Sequence, residues 1–190
     1  MGAFKPLLPF GKQTVIESCI EYLRGGGAQR IVVVLGHPPD AVRSAIASLG
    51  VVCVTNPDPD SEMNESIAVG VRALPATTKA TLITPADHPA VPPSVVSSLI
   101  DAWQGGASLV IPRWQNRGGH PVLVDLRYRD ELQNLDPNRG LRALFDAHRE
   151  QVKRLRVDSP YVARDMDTWD DYSALYQEVF GAPPPDPPGE

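Results

Sequence analysis

Residues 14–35 read TVIESCIEYLRGGGAQRIVVVL, a passage in which two hydrophobic periods meet. In its first half Ile16, Cys19, Ile20 and Leu23 recur at helical spacing. Residues three and four apart share one face of a helix, so this stripe faces a core. Thr14 followed by Glu17 has the capping-box pattern at the start, and Gly25 to Gly27 supply the stop. From Arg30 to Leu35 the run is nearly continuous Ile and Val. A strand that is apolar on both faces needs helices over both, which is the condition of a buried parallel sheet. An amphipathic helix feeding such a strand predicts an α/β protein.

The alternation continues downstream. It predicts a helix from about Asp40 to Leu49, a strand at Val51 to Thr55, a helix at Glu62 to Leu74 and a strand at Lys79 to Thr84. A helix at Pro93 to Trp103 and a strand at Ser108 to Pro112 extend it, and the rhythm points to a three-layer, Rossmann-like α/β fold. There is no internal repeat. Arg113 to Gly119 reads as a polar, glycine-containing loop before a short alternating strand at Pro121 to Asp125. Short helices near Asp130 to Asn134 and Leu141 to Arg149, a strand at Val152 to Val157 and a helix at Trp169 to Phe180 complete one domain, residues 1–181. The last nine residues, 182–190, contain five prolines and predict a disordered or polyproline tail.

At 190 residues the chain fits a single domain that buries about 70% of the surface its unfolded form exposes. The formal net charge is -5 and the basic residues are scattered, which argues against nucleic acid or an anionic membrane as partner. Small anionic ligands held locally are the expectation. No basic segment followed by an apolar stretch opens the chain, and no run approaches the roughly 18 apolar residues of a membrane span, so the reading is cytoplasmic. Cys19 and Cys53 lie in apolar segments without CxxC spacing, as buried thiols rather than zinc or disulfide partners.

In an open parallel sheet, ligands bind beyond the carboxyl ends of the strands. Four such places carry polar residues: Gly36-His37, Asn56, the run Thr84-Pro85-Ala86-Asp87-His88-Pro89, and Gly118-Gly119-His120-Pro121. Asp87 stands between two prolines, which hold a carboxylate in place above the sheet. Magnesium takes one or two protein carboxylates and fills its shell with water and phosphate oxygens, so one fixed Asp can suffice. The alternative is an Asx-turn aspartate leading into the next helix. Asp165 and Asp167 precede the final helix, where either could supply a second metal carboxylate and Asp167 or Thr168 could equally be the helix N-cap. Lys5 and Lys12 precede the first helix, whose dipole favours phosphate. The chain has no Walker A run, no GxGxxG and no GxSxG elbow.

Taken in order, these fragments resemble the MobA-like nucleotidyltransferase family, nearly to Phe180. Met1-Gly2, Lys5-Pro6-Leu7-Leu8 with Gly11, and Asp87-His88-Pro89 stand where the family shows the end of an LAAGxSxRMG loop, KPLL with a glycine, and Asp-x-Pro. Arg117-Gly118-Gly119-His120-Pro121-Val122 resembles the RGHPV motif of the cytidylyltransferase-like branch with one added glycine, and Asp165 to Tyr172 resembles its DIDTPEDY ending. Asn56, Met63 and Ser66-Ile67 are similar to the family's nucleotide-side residues. Glu62 and Trp169 depart from the family's Gly and Pro.

The resemblance implies a nucleotide-diphospho-sugar transferase fold with a mostly parallel mixed sheet. It implies transfer of a nucleotide from CTP, in preference to GTP, to a phosphorylated acceptor such as molybdopterin, with Mg2+ as cofactor. Lys5 and Asp87 are the implied catalytic residues, with Gly2, Lys5, Asn56 and Ser66 on the nucleotide. Arg117, Gly119 and His120 face the acceptor, and Asp87, Asp165 and Asp167 serve the metal. A molybdenum hydroxylase is the implied client. The family's first strand and the AAGxSxR part of its loop have no counterpart here, which predicts an incomplete amino-terminal side and an upstream start. Relatives that resemble this branch include proteins assigned to nicotinamide-dependent reduction, so an oxidoreductase is one rival and a non-catalytic nucleotide-binding accessory protein is another.

Overall fold

Thr14 caps the first helix as its spacing predicts: its hydroxyl accepts from the Glu17 amide, and the Glu17 carboxylate accepts from the Thr14 amide at 2.6 Å. The computed structural model describes residues 5–58 and 62–185. After a 3-10 turn at Lys5–Leu7, strands β1 (Pro9–Phe10) and β2 (Gln13–Thr14) form a small antiparallel hairpin that enters α1 (Val15–Gly25). Then follow β3 (Val32–Leu35), α2 (Asp40–Ala45), β4 (Val52–Thr55), α3 (Met63–Arg72), β5 (Ala80–Ile83) and α4 (Pro93–Gln104). The rest comprises β6 (Leu109–Trp114), β7 (Arg117–Gly118), β8 (Val122–Asp125), α5 (Arg129–Gln133), α6 (Leu141–Ala147), β9 (Val152–Arg156) and α7 (Trp169–Phe180).

The architecture is mixed α/β, as expected. β3 and β4 pair in parallel. β8 lies between β5 and β6 and is antiparallel to both, while β9 pairs parallel with β6. Thus β5, β6 and β9 run one way and β8 is reversed among them. The two strand groups, β3 with β4 and β5 with its partners, share no strand pairing among the described residues.

Three layers follow from the packing. On one side α1 and α4 bury Cys19, Tyr22, Val95, Val96 and Leu99 against Val110 and Leu123 of the sheet. Gly26 permits that approach, because an added Cβ there would stand 2.3 Å from the Val96 Cβ. On the other side α3, α5 and α6 set Ile67, Val71, Leu132 and Leu144 against Leu109, Val122 and Val124. A separate cluster joins β1 to α7 through Leu8, Phe10, Met166, Tyr172 and Leu175, with the Tyr172 hydroxyl donating to the Pro9 carbonyl at 2.5 Å.

Several expectations are corrected. The loop read at Arg113 to Gly119 is a tight hairpin: β6 continues to Trp114 and returns as β7 through Gln115 at φ 53°. A non-glycine residue in the left-handed region hides that turn from a pattern search. The helix read at Asp40 to Leu49 ends at Ala45, and Ala47–Leu49 tighten into a 3-10 turn closed by Gly50 at φ 63°. Cys19 is buried but Cys53 is only half-buried, because β4 has a neighbour on one edge alone and exposes Val52 beside it.

Candidate active site

The two histidine-bearing motifs lie more than 30 residues apart in sequence and meet because of strand pairing. β8 is antiparallel to β5 with Val122 opposite Ile83, so the residue leading into β8 falls beside the carboxyl end of β5. His120 Nδ1 lies 3.4 Å from the Ile83 carbonyl oxygen, and the His120 and His88 rings are 5.4 Å apart between centroids. His88 is buried, with Nδ1 3.5 Å from the Tyr161 carbonyl. Tyr161 belongs to the 3-10 turn Pro160–Ala163, which the sequence reading missed; Pro160 was its one signal.

Asp87 stands at the centre of this group. Its Oδ1 is buried without a hydrogen bond, and His88 Nε2 lies 3.5 Å away, beyond good bonding distance. A buried carboxylate oxygen without a partner calls for a water or a cation. Among the described residues no three His, Cys, Asp or Glu side chains form a ready metal cage. Asp87 therefore fits a hard cation that completes its shell from water and phosphate, and does not fit a closed zinc site.

The surroundings of His120 favour its neutral form. Burial depresses its pKa first and the neighbouring His88 second, against weaker opposite pulls from the Ile83 carbonyl, Asp87 and Asp165. The last of these puts the exposed Asp165 in the same electrostatic neighbourhood. Beneath the site, burial pushes the Cys19 thiol up to about 12, so it is an inert packing group. The Tyr22 hydroxyl reaches Thr84 Oγ1 at 3.2 Å and ties α1 to the end of β5, a contact that no sequence signal announced.

Asp167 is elsewhere engaged. Lys5 Nζ lies 3.0 Å from its Oδ1, while Thr168, not Asp167, caps α7 in a box with Asp171. Asn56 is buried: its amide donates to the Leu35 carbonyl at 2.8 Å and its Nδ2 to Ser66 Oγ at 3.0 Å. The two expected nucleotide-side residues are thus bonded to each other across the loop before α3. Gly119 has a packing reason, since an added Cβ would stand 1.8 Å from the Val162 carbonyl oxygen. The next amide, His120 N, donates to that same oxygen at 2.7 Å. Arg117 lies exposed on the β6–β7 hairpin. Gly2 lies outside the described residues.

A three-layer α/β domain that gathers a carboxylate and two histidines beyond its strand ends has its ligand site where such folds place one. Residues 1–152 match the family model described as MobA-like NTP transferase domain, and the chain belongs to that family of nucleotidyltransferases. Nicotine blue oxidoreductase of Paenarthrobacter nicotinovorans is 30% identical over 172 residues, covering 86% of this chain and 83% of that protein. The crystal structure of Rv0371c from Mycobacterium tuberculosis superposes with a TM-score of 0.83 at 28% identity, covering 93% of this chain and 90% of its own. A second structure of Rv0371c, in complex with manganese, gives 0.80 at 28% identity, covering 92% of each chain.

Proposed function

We propose that this protein is a magnesium-dependent nucleotidyltransferase. It moves a nucleotide from a nucleoside triphosphate, CTP in preference to GTP, onto a small phosphorylated acceptor of the molybdopterin type. The observation that carries this reading is the buried Asp87 oxygen beyond the carboxyl end of β5, which makes no hydrogen bond. In the reaction a phosphate oxygen of the acceptor bonds to the α-phosphorus. The bond from that phosphorus to its bridging oxygen breaks, and pyrophosphate leaves.

Asp87 would hold the magnesium with Asp165 beside it, and the ion would neutralise phosphate charge. Lys5 exchanges the Asp167 carboxylate for oxygens of the triphosphate, which countercharges the departing pyrophosphate. The Asn56–Ser66 bond ties the end of β4 to α3 and would set these two side chains beside the nucleotide. His120, whose pKa is lowered by burial and by His88, would present its imidazole to the acceptor. A molybdenum hydroxylase is the client that would take such a product.

The test supplies molybdopterin, Mg2+ and either CTP or GTP, and follows pyrophosphate. Release that is faster with CTP is expected, and release with neither nucleotide, despite tight binding of one, would favour a non-catalytic accessory protein. A second reading, NAD(P)H-dependent reduction of a heterocycle, is favoured by the 30% identity to nicotine blue oxidoreductase. The absence of a dinucleotide fingerprint weighs against it. Oxidation of NADPH by the purified chain with a heterocyclic acceptor, and no pyrophosphate from CTP, would establish that alternative.

A further inference from the structure

We propose that the outer edge of β9 is a docking site for an extended acidic segment of a partner protein, which joins the sheet as one more strand, antiparallel to β9. The inference is independent of the reaction assigned above.

β9 pairs with β6 along one edge, and among the described residues no strand lies along the other. Just beyond β9, the Val157 amide donates to the Arg113 carbonyl at 3.0 Å, which sets the phase of the ladder. Backbone groups of successive residues point to opposite edges of a strand. Lys153, Leu155 and Val157 therefore turn theirs toward β6, while Val152, Arg154 and Arg156 turn theirs outward. A row of outward N–H and C=O groups is a template for a further strand.

The side chains define which strand fits. Lys153, Arg154 and Arg156 are all exposed, and the ion pairs of the described residues engage Lys5, Arg72, Arg127, Arg139 and Arg164 instead. The chain has a net charge of -5, so three basic residues within positions 153–156 reverse the local sign and attract carboxylates. Glu150 and Asp158 bracket this run and lie outside it. The three cations also stand on both faces of the sheet. Leu155 packs on the side of α1 and α4 and Val152 on the side of α5 and α6, so alternation puts Lys153 with the first and Arg154 and Arg156 with the second. A small anion meets one face only, whereas the side chains of an added strand alternate in step with those of β9. A second copy of this chain is disfavoured, because β9 paired antiparallel with itself about its centre sets Lys153 opposite Arg156.

Directly opposed residues share a face, so the partner is acidic opposite Arg156, apolar opposite Leu155, and acidic opposite Arg154 and Lys153. Read along an antiparallel strand, that pattern is Glu-Val-Glu-Glu.

The experiment adds the peptide acetyl-Thr-Glu-Val-Glu-Glu-Thr-amide to the full chain, with amide exchange read residue by residue and affinity taken from the shifts of the amide signals. The inference expects the Arg154 and Arg156 amides to exchange at least about fivefold more slowly in the complex, while those of Lys153 and Leu155, already turned to β6, stay unchanged. Raising NaCl from about 50 to about 500 mM should weaken binding at least about tenfold. The same peptide with lysine in place of each glutamate should bind at least about tenfold more weakly, and the double variant R154E/R156E should reverse that preference. Should the variant fail to fold, the comparison of the two peptides on the parent chain decides alone. No binding, equal binding of both peptides, or binding that leaves the Arg154 and Arg156 amides unprotected overturns the inference. An oligothymidylate that binds more tightly than the acidic peptide overturns it in favour of nucleic acid. Protection of those amides in the chain alone that disappears on dilution overturns it in favour of a second copy.

Discussion

Lys5 Nζ and Asp167 Oδ1 lie 3.0 Å apart and join the first described turn of the chain to the segment before its last helix. Two residues read separately as a phosphate clamp and a metal ligand are each other's partners here. The pair is open to solvent, with Asp167 at 71% side-chain exposure, and such ion pairs contribute about 0 to 1 kcal/mol. Its significance lies in availability: a lysine held by an exposed carboxylate is readily drawn to a triphosphate. Lys5→Ala should lower kcat/KM for the nucleotide at least about tenfold and shift thermal stability by under about 1 kcal/mol. Asp167→Ala should leave Mn2+ affinity within about twofold if Asp167 serves only to hold Lys5. Parallel turnover and Mn2+ titrations separate the two roles, and a large loss of Mn2+ affinity in Asp167→Ala would restore it as a ligand.

Asp87→Asn should weaken Mn2+ binding by at least about tenfold, measured by titration without nucleotide. The folded state should not suffer, because the replacement removes a buried charged oxygen that has no hydrogen bond. A variant that binds Mn2+ normally but melts earlier would make Asp87 a structural turn residue.

Gly119→Ala should destabilise the fold by about 1 to 3 kcal/mol, read from the urea midpoint. The clash is with backbone, the Val162 carbonyl carbon and oxygen at 2.3 and 1.8 Å, so no side-chain rotation relieves it. Relief would require stretching the bond from the His120 amide to Val162, which also displaces the imidazole. An unchanged midpoint would remove the packing role.

Stability should fall with acid through His120. Its ordinary pKa of 6.5 is lowered on folding, so below pH 6.5 the unfolded chain binds a proton that the folded chain refuses. The contribution is complete above pH 6.5 and is lost as pH falls toward the depressed folded value. Unfolding free energies at pH 5.5 and 7.5 should therefore differ less in His120→Gln than in the parent chain. An identical slope in both would place the titrating group elsewhere.

The local elements were legible where one physical cause dominates. Helical periodicity and the Thr14–Glu17 box marked α1, and the Val-rich run before Gly36 marked β3, because both signals lie within a few residues. Ahead of the last helix both Asp167 and Thr168 have the chemistry of a cap. The structure gives the cap to Thr168, while Asp167 pairs with Lys5, 162 residues away. Gln115 concealed a hairpin because a left-handed non-glycine residue has no reliable sequence mark.

The sequence by itself determined an α/β chain with Asp87 after an apolar strand, two histidine motifs and a family resemblance carried by short fragments. Only the tertiary structure decided that His120 sits beside His88, that Asp87 has a buried oxygen without a hydrogen bond, and that Asp167 holds Lys5. Only it showed that, among the described residues, β3 and β5 line one cleft without pairing to each other. Periodicity and capping are short-range and can be read along a chain. Strand register, side-chain desolvation and charge partners depend on which distant residues the fold brings together.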